Sequence, residues 1–456
     1  MENQRLVIIG GVAAGMSAAS KARRLSSDME ILVFERSGYV SYIACGMPYL
    51  ISNKVKSSNS LVVYDSKFFK ESRNIDVFLH QEVTRIFPQR KVILVRDIQT
   101  GEEREYLYSK LLISTGARPV YPLIKGRDLK GIFTLRLLED GIAIKDYIKN
   151  NSPRAGLILG AGSIGMEMAE AFSEAGIQVT VIERTSNILG TMDDEINSIV
   201  EQELERKGVT LLKSKNVTEF TGKGSFVSKT ILENGESIDT DIVIIGAGVK
   251  PNSEIARDAG IELGRTGAIK VNERMETSIP DIYSAGDCAE AYHLIYGRNV
   301  YMPLGTVANK QGRVAGENIA GGNASFAGIV GTSVFKVFDL EVGRTGLTEK
   351  EAKNEGMDYV SNTIDHISRA PYYPGASTIR IKLVAERKTG RLLGAQVVGK
   401  DGAAKRVDVL ATAVTARMTA NEIQNLDLGY SPPFSPDYDP VLIAASELQK
   451  RKGGVN

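Results

Sequence analysis

The chain has 456 residues, 43% of them hydrophobic, so it is long enough to bury the cores of several domains. Its 56 Lys and Arg residues balance 55 Asp and Glu residues, which leaves no basic field and excludes nucleic acid as an expected partner. With two cysteines, no signal peptide and an apolar stretch at 6–19 too short for a bilayer, it is expected to lack a disulfide framework, to have no membrane partner and to work in the reducing cytoplasm.

The first predicted elements form a βαβ unit around a glycine loop. Residues 6–9 are a continuous apolar run typical of a buried strand, and the loop from Gly10 to Gly15 opens a helix of small residues. The next predicted strand ends in Glu35. This spacing is that of a dinucleotide-binding fingerprint, in which backbone approaches a pyrophosphate and the acidic residue binds ribose hydroxyls, although Val12 replaces the middle glycine.

Cys45 follows this first unit closely. Pro48 after the Cys-Gly pair predicts a helix that starts near the cysteine. A helix N-terminus stabilises a thiolate, so Cys45 is the candidate nucleophile, placed near the ligand of the first unit. Cys288 is expected to be inert on a core strand.

Further along, three short apolar runs end in glycine loops, at 111–116, 242–248 and 282–287. Each is predicted as a parallel strand that delivers its loop to a ligand at the carboxyl end of a sheet. An aspartate in the last of these loops, Asp287, can bind the ribityl chain of a flavin.

A second βαβ unit carries all three glycines of the fingerprint, Gly160, Gly162 and Gly165, with Glu183 at the end of its second strand. Two such units in one chain predict two dinucleotides, FAD in the first and NAD(P) in the second. Glu183 would repel a 2′-phosphate, which favours NADH, whereas Arg184 beside it could accept NADPH.

The C-terminal part has a different pattern of predicted strands and helices and no nucleotide fingerprint. Antiparallel strands are predicted over 330–342 and 378–398, the latter with a turn at 388–390. A capping box at 348–351 starts a short helix, and a further helix is predicted over 403–418.

The predicted architecture is therefore α/β, with two Rossmann-like dinucleotide-binding domains and a C-terminal α+β dimerisation domain. The predicted FAD domain is discontinuous, at 1–120 and 250–324. The NAD(P) domain is predicted at 121–249 and the dimerisation domain at 325–456.

These motifs resemble those of the pyridine nucleotide-disulfide oxidoreductases that use a single cysteine. This group includes coenzyme A disulfide reductases, NADH oxidases, NADH peroxidases and sulfur or persulfide reductases. The resemblance covers nearly the whole chain, and it is carried by the two glycine loops, the Cys45 segment and the motifs at 115–119, 285–287, 309–313 and 430–434.

The fingerprints and the resemblance together imply a set of cofactor contacts for FAD and the nicotinamide nucleotide, and no metal. The expected residues are Gly10, Gly11, Ala14, Gly15, Glu35, Arg36, Thr115, Gly116, Gly160, Gly162, Ile164, Gly165, Glu183, Gly248, Gly286 and Asp287.

Two departures from related enzymes narrow the chemistry. Enzymes with a dithiol centre have a second cysteine five positions after the first, where this chain has Leu50, and none of its three histidines lies in the last ninety or so residues. An internal dithiol mechanism is therefore excluded. The peroxidase and oxidase branch usually carries a histidine in the first glycine loop, where this chain has Ala13, which disfavours peroxide chemistry.

Among these branches, the chain resembles the coenzyme A disulfide reductases most. It implies that Cys45 forms a mixed disulfide with coenzyme A and that two tyrosines, Tyr430 and Tyr372, assist it in a homodimer whose subunits share the site. Because Tyr373 is adjacent, the assignment of Tyr372 could slip by one. The implied coenzyme A contacts are Lys21, Arg24, Ser41, Arg73 and Asn309, of which the three cationic residues would meet phosphates.

Three alternatives stay open. The same site could reduce a coenzyme A persulfide or polysulfide. An NADH oxidase would reduce oxygen without a thiol substrate. A redox-sensing flavoprotein would need only slow electron transfer, but the complete set of cofactor and cysteine motifs disfavours it.

Overall fold

The structure is a computed structural model that describes residues 4–452. The chain forms two compact units. The first contains the described residues through Tyr121 with Thr134–Asn151 and Gly248–Gly328. The second contains Pro122–Phe133, Ser152–Ala247 and the described residues from Ile329 onward. The division into three domains stays a prediction.

Elements are numbered in chain order. Residues 4–121 form strands β1 Arg5–Ile9, β2 Glu30–Phe34, β3 Asp76–Phe78, β4 Gln81–Phe87, β5 Val92–Asp97, β6 Glu103–Leu107, β7 Lys110–Ile113 and β8 Ala117–Pro119, and helices α1 Ala13–Leu25, α2 Met47–Ile51 and α3 Ser66–Arg73. Residues 122–247 form strands β9 Ile132–Phe133, β10 Ala155–Leu159, β11 Gln178–Glu183, β12 Thr210–Lys213, β13 Val217–Lys223, β14 Phe226–Leu232, β15 Ser237–Asp239 and β16 Ile242–Ile245, and helices α4 Leu138–Asn151, α5 Ser163–Glu174 and α6 Asp194–Arg206.

Residues 248–328 form strands β17 Val249–Pro251, β18 Ile282–Ser284, β19 Ala291–His293 and β20 Arg298–Val300, and helices α7 Glu254–Asp258 and α8 Gly305–Ile319. Residues 329–452 form strands β21 Ser333–Val337, β22 Leu340–Gly346, β23 Tyr359–Ile367, β24 Thr378–Glu386 and β25 Leu392–Gly399, and helices α9 Glu349–Asn354, α10 Ala403–Thr415, α11 Ala420–Gln424 and α12 Pro440–Lys452.

The first unit is built on a parallel sheet with the strand order β18-β7-β1-β2-β3. The side chains of β1 are buried on both faces, which explains why that run is continuously apolar. Helices α1 and α8 touch backbone to backbone: a Cβ added at Gly312 would stand 2.3 Å from the carbonyl oxygen of Ala14, and one at Gly316 would stand 2.3 Å from that of Ala18. The solvent-exposed faces of α1 and α8 therefore lie side by side.

The second unit contains another parallel sheet, with the order β12-β11-β10-β16-β9, and an antiparallel sheet with the order β21-β22-β25-β24-β23. A buried lysine on the antiparallel sheet, Lys382, is 2.7 Å from the carboxylate of Glu349 and 2.9 Å from that of Glu195. Burial alone would lower the pKa of Lys382, but hydrogen bonds with these carboxylates raise it. The cluster therefore joins the segment after β11 to the C-terminal sheet as an ion-paired network.

The predicted α/β fold with two Rossmann-like units and a mixed C-terminal part is confirmed. The capping box at Thr348 and Glu351 forms as predicted and starts α9. The last predicted helix is shorter than expected, because it ends at Thr415 rather than at 418. Within the described residues no helix is both long and apolar enough to cross a membrane.

Candidate active site

The first glycine loop joins β1 to α1 with little room for side chains. Gly10 has a positive φ of 99°, and a Cβ at Gly15 would stand 1.9 Å from the Gly10 carbonyl oxygen. Val12 precedes α1 and supplies no side-chain hydrogen bond to the helix start, so the first-turn N–H groups point to the loop without a side-chain cap. A tight turn and an uncapped helix start together make a cradle for an anion.

The glycine at position 15 permits a direct test of this cradle. We expect Gly15→Ala to purify without bound FAD, because the added Cβ cannot fit 1.9 Å from a backbone oxygen without opening the loop. The ratio of flavin absorbance to protein absorbance measures the loss. Gly190→Ala is the matched control, since no atom lies within 4 Å of its added Cβ. Full FAD content in Gly15→Ala would contradict this assignment of the loop.

Glu35 lies at the end of β2 and faces the same loop. Its carboxylate accepts a hydrogen bond of 2.7 Å from the backbone N–H of Gly11 and one of 2.8 Å from that of Ser37. The side chain is buried, whereas Arg36 is exposed. Each carboxylate oxygen keeps a further lone pair, so Glu35 can shape the loop and still accept ribose hydroxyls.

Two other loops are fixed by amide side chains from distant parts of the chain. The side-chain amide of Asn252 donates to the carbonyl oxygen of Thr115 at 2.8 Å, and its backbone N–H donates to that of Gly116 at 2.9 Å. The amide oxygen of Gln311 accepts from the N–H of Gly286 at 2.9 Å. Sequence reasoning found the loops and the motif at 309–313 that contains Gln311, but it assigned Gln311 no role and missed Asn252.

The predicted ribityl contact, Asp287, forms an ion pair of 2.7 Å with Arg136, which sequence reasoning also missed. Arg136 is anchored by a second hydrogen bond to the carbonyl oxygen of Ala117. The carboxylate is thus held in one orientation. The hydroxyl of Tyr301 is buried without a hydrogen-bond partner within the described residues. Burial is the main cause that raises the pKa of this hydroxyl, and the negative charge of Asp287 raises it further.

Cys45 lies in a single turn of 3-10 helix, Ala44–Gly46, that leads directly into α2. Pro48 stands in the first turn of that helix, as predicted. The side chain of Cys45 is exposed, so a substrate can reach its sulfur.

Two backbone hydrogen bonds position the cysteine segment within the first unit. The N–H of Ser41 donates to the carbonyl oxygen of Gly11 at 3.0 Å, and the N–H of Ile43 donates to that of Leu61 at 2.8 Å. Ser41 itself adopts a positive φ of 49°. The segment that carries Cys45 is therefore bonded directly to the first glycine loop.

The second cysteine has a different environment. Cys288 is completely buried in the turn after β18, so the prediction that it lies on a strand is wrong by a few residues. Its sulfur lies 3.4 Å from the carbonyl oxygen of Ile113, and burial raises the pKa of the thiol. A buried, protonated thiol is a poor nucleophile.

Four of the residues predicted to contact coenzyme A lie on α1 or are hydrogen-bonded to it. Arg73 on α3 donates a hydrogen bond of 2.5 Å to Ser20, next to Lys21. The hydroxyl of Ser17 donates to the Asn309 side chain at 2.8 Å. Arg24 is exposed one turn beyond Ser20. Ser41 lies in the Cys45 segment described above.

Lys21 has a partner that sequence reasoning did not foresee. Its ammonium lies 2.8 Å from the carboxylate of Glu317 on α8. Part of its charge is therefore balanced within the protein, whereas the described residues contain no ion pair to Arg24 or Arg73.

The second glycine loop repeats the geometry of the first in the second unit. Gly160 has a positive φ of 107°, and a Cβ at Gly165 would stand 2.1 Å from its carbonyl oxygen. No atom lies within 4 Å of a Cβ added at Gly162, and α5 starts there without a side-chain cap. Ile164 in the first turn is 40% exposed. The loop is open on the side where a pyrophosphate would bind.

Glu183 closes this second loop as Glu35 closes the first. It accepts hydrogen bonds of 2.9 Å from the backbone N–H groups of Ala161 and Thr185. Burial alone would raise the pKa of Glu183, but these hydrogen bonds outweigh it and hold the pKa below its usual value. Glu183 is therefore ionised at neutral pH, while Arg184 beside it is exposed.

Gly248 lies in the first unit, at the start of β17, whereas the other predicted nicotinamide nucleotide contacts lie in the second. It has a positive φ of 98°, and its carbonyl oxygen accepts from the N–H of Val120 at 2.8 Å.

The two predicted tyrosines lie together in the second unit. Two hydrogen bonds raise the pKa of Tyr430 to about 12; the one with Asp437 has the largest effect and the one with Tyr372 the next largest. The side chain of Tyr372 is 75% exposed and that of Tyr430 is 49% exposed. The contact favours Tyr372 over Tyr373 as the second tyrosine. Sequence reasoning missed Asp437.

The donor groups fit the two predicted cofactors. Each parallel sheet ends in a tight glycine loop, an uncapped helix start and a carboxylate, which is the set that binds a dinucleotide. The first unit adds Asp287 and the orphaned Tyr301 hydroxyl, which match the further polar groups of FAD.

Comparison with known proteins gives two family matches. The model of the pyridine nucleotide-disulphide oxidoreductases matches residues 4–312, and the model of the dimerisation domain of the same enzymes matches residues 332–440.

Three curated relatives match along nearly their full lengths. A CoA-dependent NAD(P)H sulfur oxidoreductase of Pyrococcus furiosus is 42% identical, over 98% of this chain and 100% of the relative. An NADH oxidase of Methanocaldococcus jannaschii is 37% identical, over 98% and 99%. A coenzyme A disulfide reductase of Staphylococcus aureus is 31% identical, over 95% and 97%.

Proposed function

The chain belongs to the pyridine nucleotide-disulphide oxidoreductase family, and we propose that it uses NAD(P)H to reduce sulfur–sulfur bonds carried on coenzyme A, most simply coenzyme A disulfide. The observation that carries this proposal is a single exposed cysteine bonded through its segment to the first glycine loop, with Leu50 where a resolving cysteine would stand. One thiol cannot close an internal disulfide, so the second sulfur must come from the substrate.

The chemistry needs one reactive sulfur and one proton donor. FAD, when bound, supplies the transfer of an electron pair from the nicotinamide to sulfur. The Cys45 thiolate attacks one sulfur of coenzyme A disulfide, forms a Cys45–coenzyme A disulfide and releases one coenzyme A thiolate. Tyr430 donates a proton to the departing thiolate. Reduction of the mixed disulfide by the electron pair then restores the Cys45 thiolate and releases the second coenzyme A.

Tyr430 suits this role because a tyrosine is protonated at neutral pH, and hydrogen bonding with Asp437 extends that protonation further into the alkaline range by raising its pKa. The family match includes a dimerisation domain, and the protein is a homodimer. We place Tyr430 and Tyr372 of one subunit beside Cys45 of its partner.

We also place the enzyme in the cytoplasm, where reducing conditions prevent a single cysteine from forming nonspecific disulfides.

Coenzyme A persulfide is a second candidate substrate. It is supported by the 42% identity to the CoA-dependent sulfur oxidoreductase, against 31% for the coenzyme A disulfide reductase. An oxidase relative is 37% identical, but this chain has Ala13 at the position where the oxidase and peroxidase branch usually carries a histidine beside its cysteine. We therefore place oxygen reduction behind both sulfur substrates.

Intact mass spectrometry tests the proposal. The protein with a reduced Cys45 thiol and no residual reductant, incubated with coenzyme A disulfide and desalted, should gain the mass of one coenzyme A at Cys45 and lose it after NADH is added under nitrogen. A sulfur adduct that forms only from coenzyme A persulfide would favour the second candidate. No adduct from either substrate would contradict the proposal.

The choice of nicotinamide nucleotide gives a further prediction. We expect wild-type enzyme to prefer NADH, and we expect Glu183→Gln to lower kcat/KM for NADH by roughly 10-fold, because a charged acceptor for ribose hydroxyls is lost. The rate with NADPH should fall less, since the charge that repels a 2′-phosphate is lost too. Steady-state kinetics with both nucleotides measure the change, and the exposed Glu205→Gln on α6 is the control. An unchanged preference would contradict the role of Glu183.

A further inference from the structure

A short segment links the second glycine loop to the C-terminal sheet. Residues 187–193 lie between β11 and α6, and the backbone N–H of Leu189 in this segment donates to the carbonyl oxygen of Ala161 in the glycine loop at 2.9 Å. The backbone N–H of the same Ala161 donates to the carboxylate of Glu183 at 2.9 Å. Ala161 is thus held from two sides, and the segment 187–193 provides one of them.

The segment has a backbone conformation that its surroundings must fix. Leu189 has a positive φ of 43° although it is not a glycine, and its side chain is buried. A bulky residue adopts this conformation at an energetic cost, so it persists only where neighbouring groups hold it. Within the segment, the N–H of Met192 donates to the carbonyl oxygen of Leu189 at 2.7 Å and closes a turn.

Side chains of the C-terminal sheet hold the far end of the segment. The backbone N–H of Asp193 donates to the side-chain oxygen of Gln396 on β25 at 2.7 Å, and the amide of Gln396 donates to the Asp193 carboxylate at 2.6 Å. The ammonium of Lys382 on β24 lies 3.3 Å from the same carboxylate. Arg344 on β22 donates to the carbonyl oxygen of Thr191 at 2.6 Å. Three strands of one sheet therefore hold this end.

These contacts are buried, so they act at a distance from any ligand. Asp193, Lys382 and Gln396 are almost completely buried, and none of the three side chains can reach a bound nucleotide. Burial of charged groups costs much of what their ion pairs return, so this network is a weak source of stability. A fully bonded polar network does, however, select one arrangement of its members. It therefore places the segment, and Ala161 with it, in one position.

We propose that Gln396 and Lys382 are positioning residues for the nicotinamide nucleotide. Through Asp193 they fix the segment 187–193, and Leu189 of that segment fixes the glycine loop that receives the pyrophosphate. The C-terminal sheet thereby sets the affinity of the enzyme for NAD(P)H. The inference rests on the proposed function in one respect, the assignment of the second loop to the nicotinamide nucleotide, and it does not depend on which acceptor is reduced.

Gln396→Met is the test, because it removes both hydrogen bonds to Asp193 and keeps a side chain of similar length. Calorimetry with ADP-ribose, which carries the pyrophosphate but no nicotinamide, measures binding without electron transfer. We expect the Kd to rise roughly 3- to 30-fold, the range found for residues that modulate a site without touching it. In anaerobic bleaching of the flavin by NADH, the NADH concentration at half-maximal rate should rise by the same factor, and the limiting rate should not change.

Asn362→Leu is the matched control. It removes a buried amide from β23 of the same sheet, where the side chain donates to the carbonyl oxygen of Ala444 on α12 at 2.9 Å instead of holding the segment 187–193. This variant should lower the melting temperature and leave the Kd for ADP-ribose unchanged. An unchanged Kd in Gln396→Met would overturn the proposal, and so would an equal rise in both variants, because the sheet would then act only through overall stability.

Hydrogen exchange of the wild-type protein gives an independent test if Gln396→Met does not fold. Coupling between two sites is reciprocal, so ADP-ribose should slow exchange of the Asp193 amide, which donates to Gln396. Unchanged exchange over 187–193 in the bound protein would overturn the proposal, as would a failure of ADP-ribose to bind. If ADP-ribose binds but coenzyme A disulfide is not reduced, the proposed function fails while the predicted rise in Kd still decides this inference.

Discussion

Replacement of Cys45 by serine should leave a yellow, folded protein with no disulfide reductase activity. We expect kcat with coenzyme A disulfide to fall at least on the order of 1,000-fold, because a serine hydroxyl can neither attack a disulfide nor form the mixed disulfide with coenzyme A. FAD content should not change, since the residues that would hold FAD are in the glycine loops and not in the Cys45 side chain.

The measurement is anaerobic turnover together with the flavin absorbance during a rapid mix with NADH. Bleaching by NADH should proceed as in wild type while thiol release stops. Cys288→Ser is the matched control, because this cysteine is buried in the turn after β18 and a serine there can donate to the same carbonyl oxygen of Ile113. Disulfide reduction by Cys45→Ser at the wild-type rate would show that the cysteine is not the redox centre.

Replacement of Tyr430 by phenylalanine should slow the release of coenzyme A thiol about 100-fold, the usual contribution of one positioned proton donor. Bleaching of the flavin by NADH should be unchanged, because Tyr430 acts on the departing thiolate alone. Stopped-flow mixing separates the two steps. Tyr438→Phe, another exposed tyrosine nearby in sequence, is the control.

The pH dependence of thiol release gives a second readout for the same residue. Hydrogen bonding with Asp437 raises the pKa of Tyr430 to about 12, so the proton donor should stay loaded through the alkaline range. Asp437→Asn removes the main cause and should move the loss of activity to lower pH. Equal slowing of flavin bleaching and thiol release in Tyr430→Phe would mean that the tyrosine shapes the protein rather than donating a proton.

The glycine loops and their carboxylates could be predicted from the sequence because each depends on neighbours along the chain. Gly10 and Gly15 must be small to let one turn close, and Glu35 follows at the end of the next strand. The same local spacing located Gly160 and Glu183 in the second unit.

The groups that hold these loops in place could not be predicted in this way. Asn252 reaches Thr115 across 137 positions, and Gln311 reaches Gly286 across 25. Arg136 pairs with Asp287 across 151 positions. Polar side chains of these types are common, and only the folded sheet shows which of them meet a cofactor loop.

The tyrosine pair shows the same limit at single-residue scale. The sequence assigned Tyr372 but left open a slip by one to Tyr373, because the two tyrosines are adjacent and stand directly before Pro374 and Gly375. The contact between Tyr372 and Tyr430 depends on how the segment before β24 lies against the segment before α12 in the second unit. That packing carries no signature in the residues themselves.

We propose that this protein passes electrons from NADH to a disulfide of coenzyme A, and the most direct test is NADH consumption by the purified FAD-loaded protein under nitrogen, with and without coenzyme A disulfide. We predict slow consumption alone and strong stimulation by the disulfide, with two thiols formed for each NADH oxidised. No stimulation under nitrogen, followed by rapid consumption when oxygen is admitted, would contradict the claim and identify an oxidase.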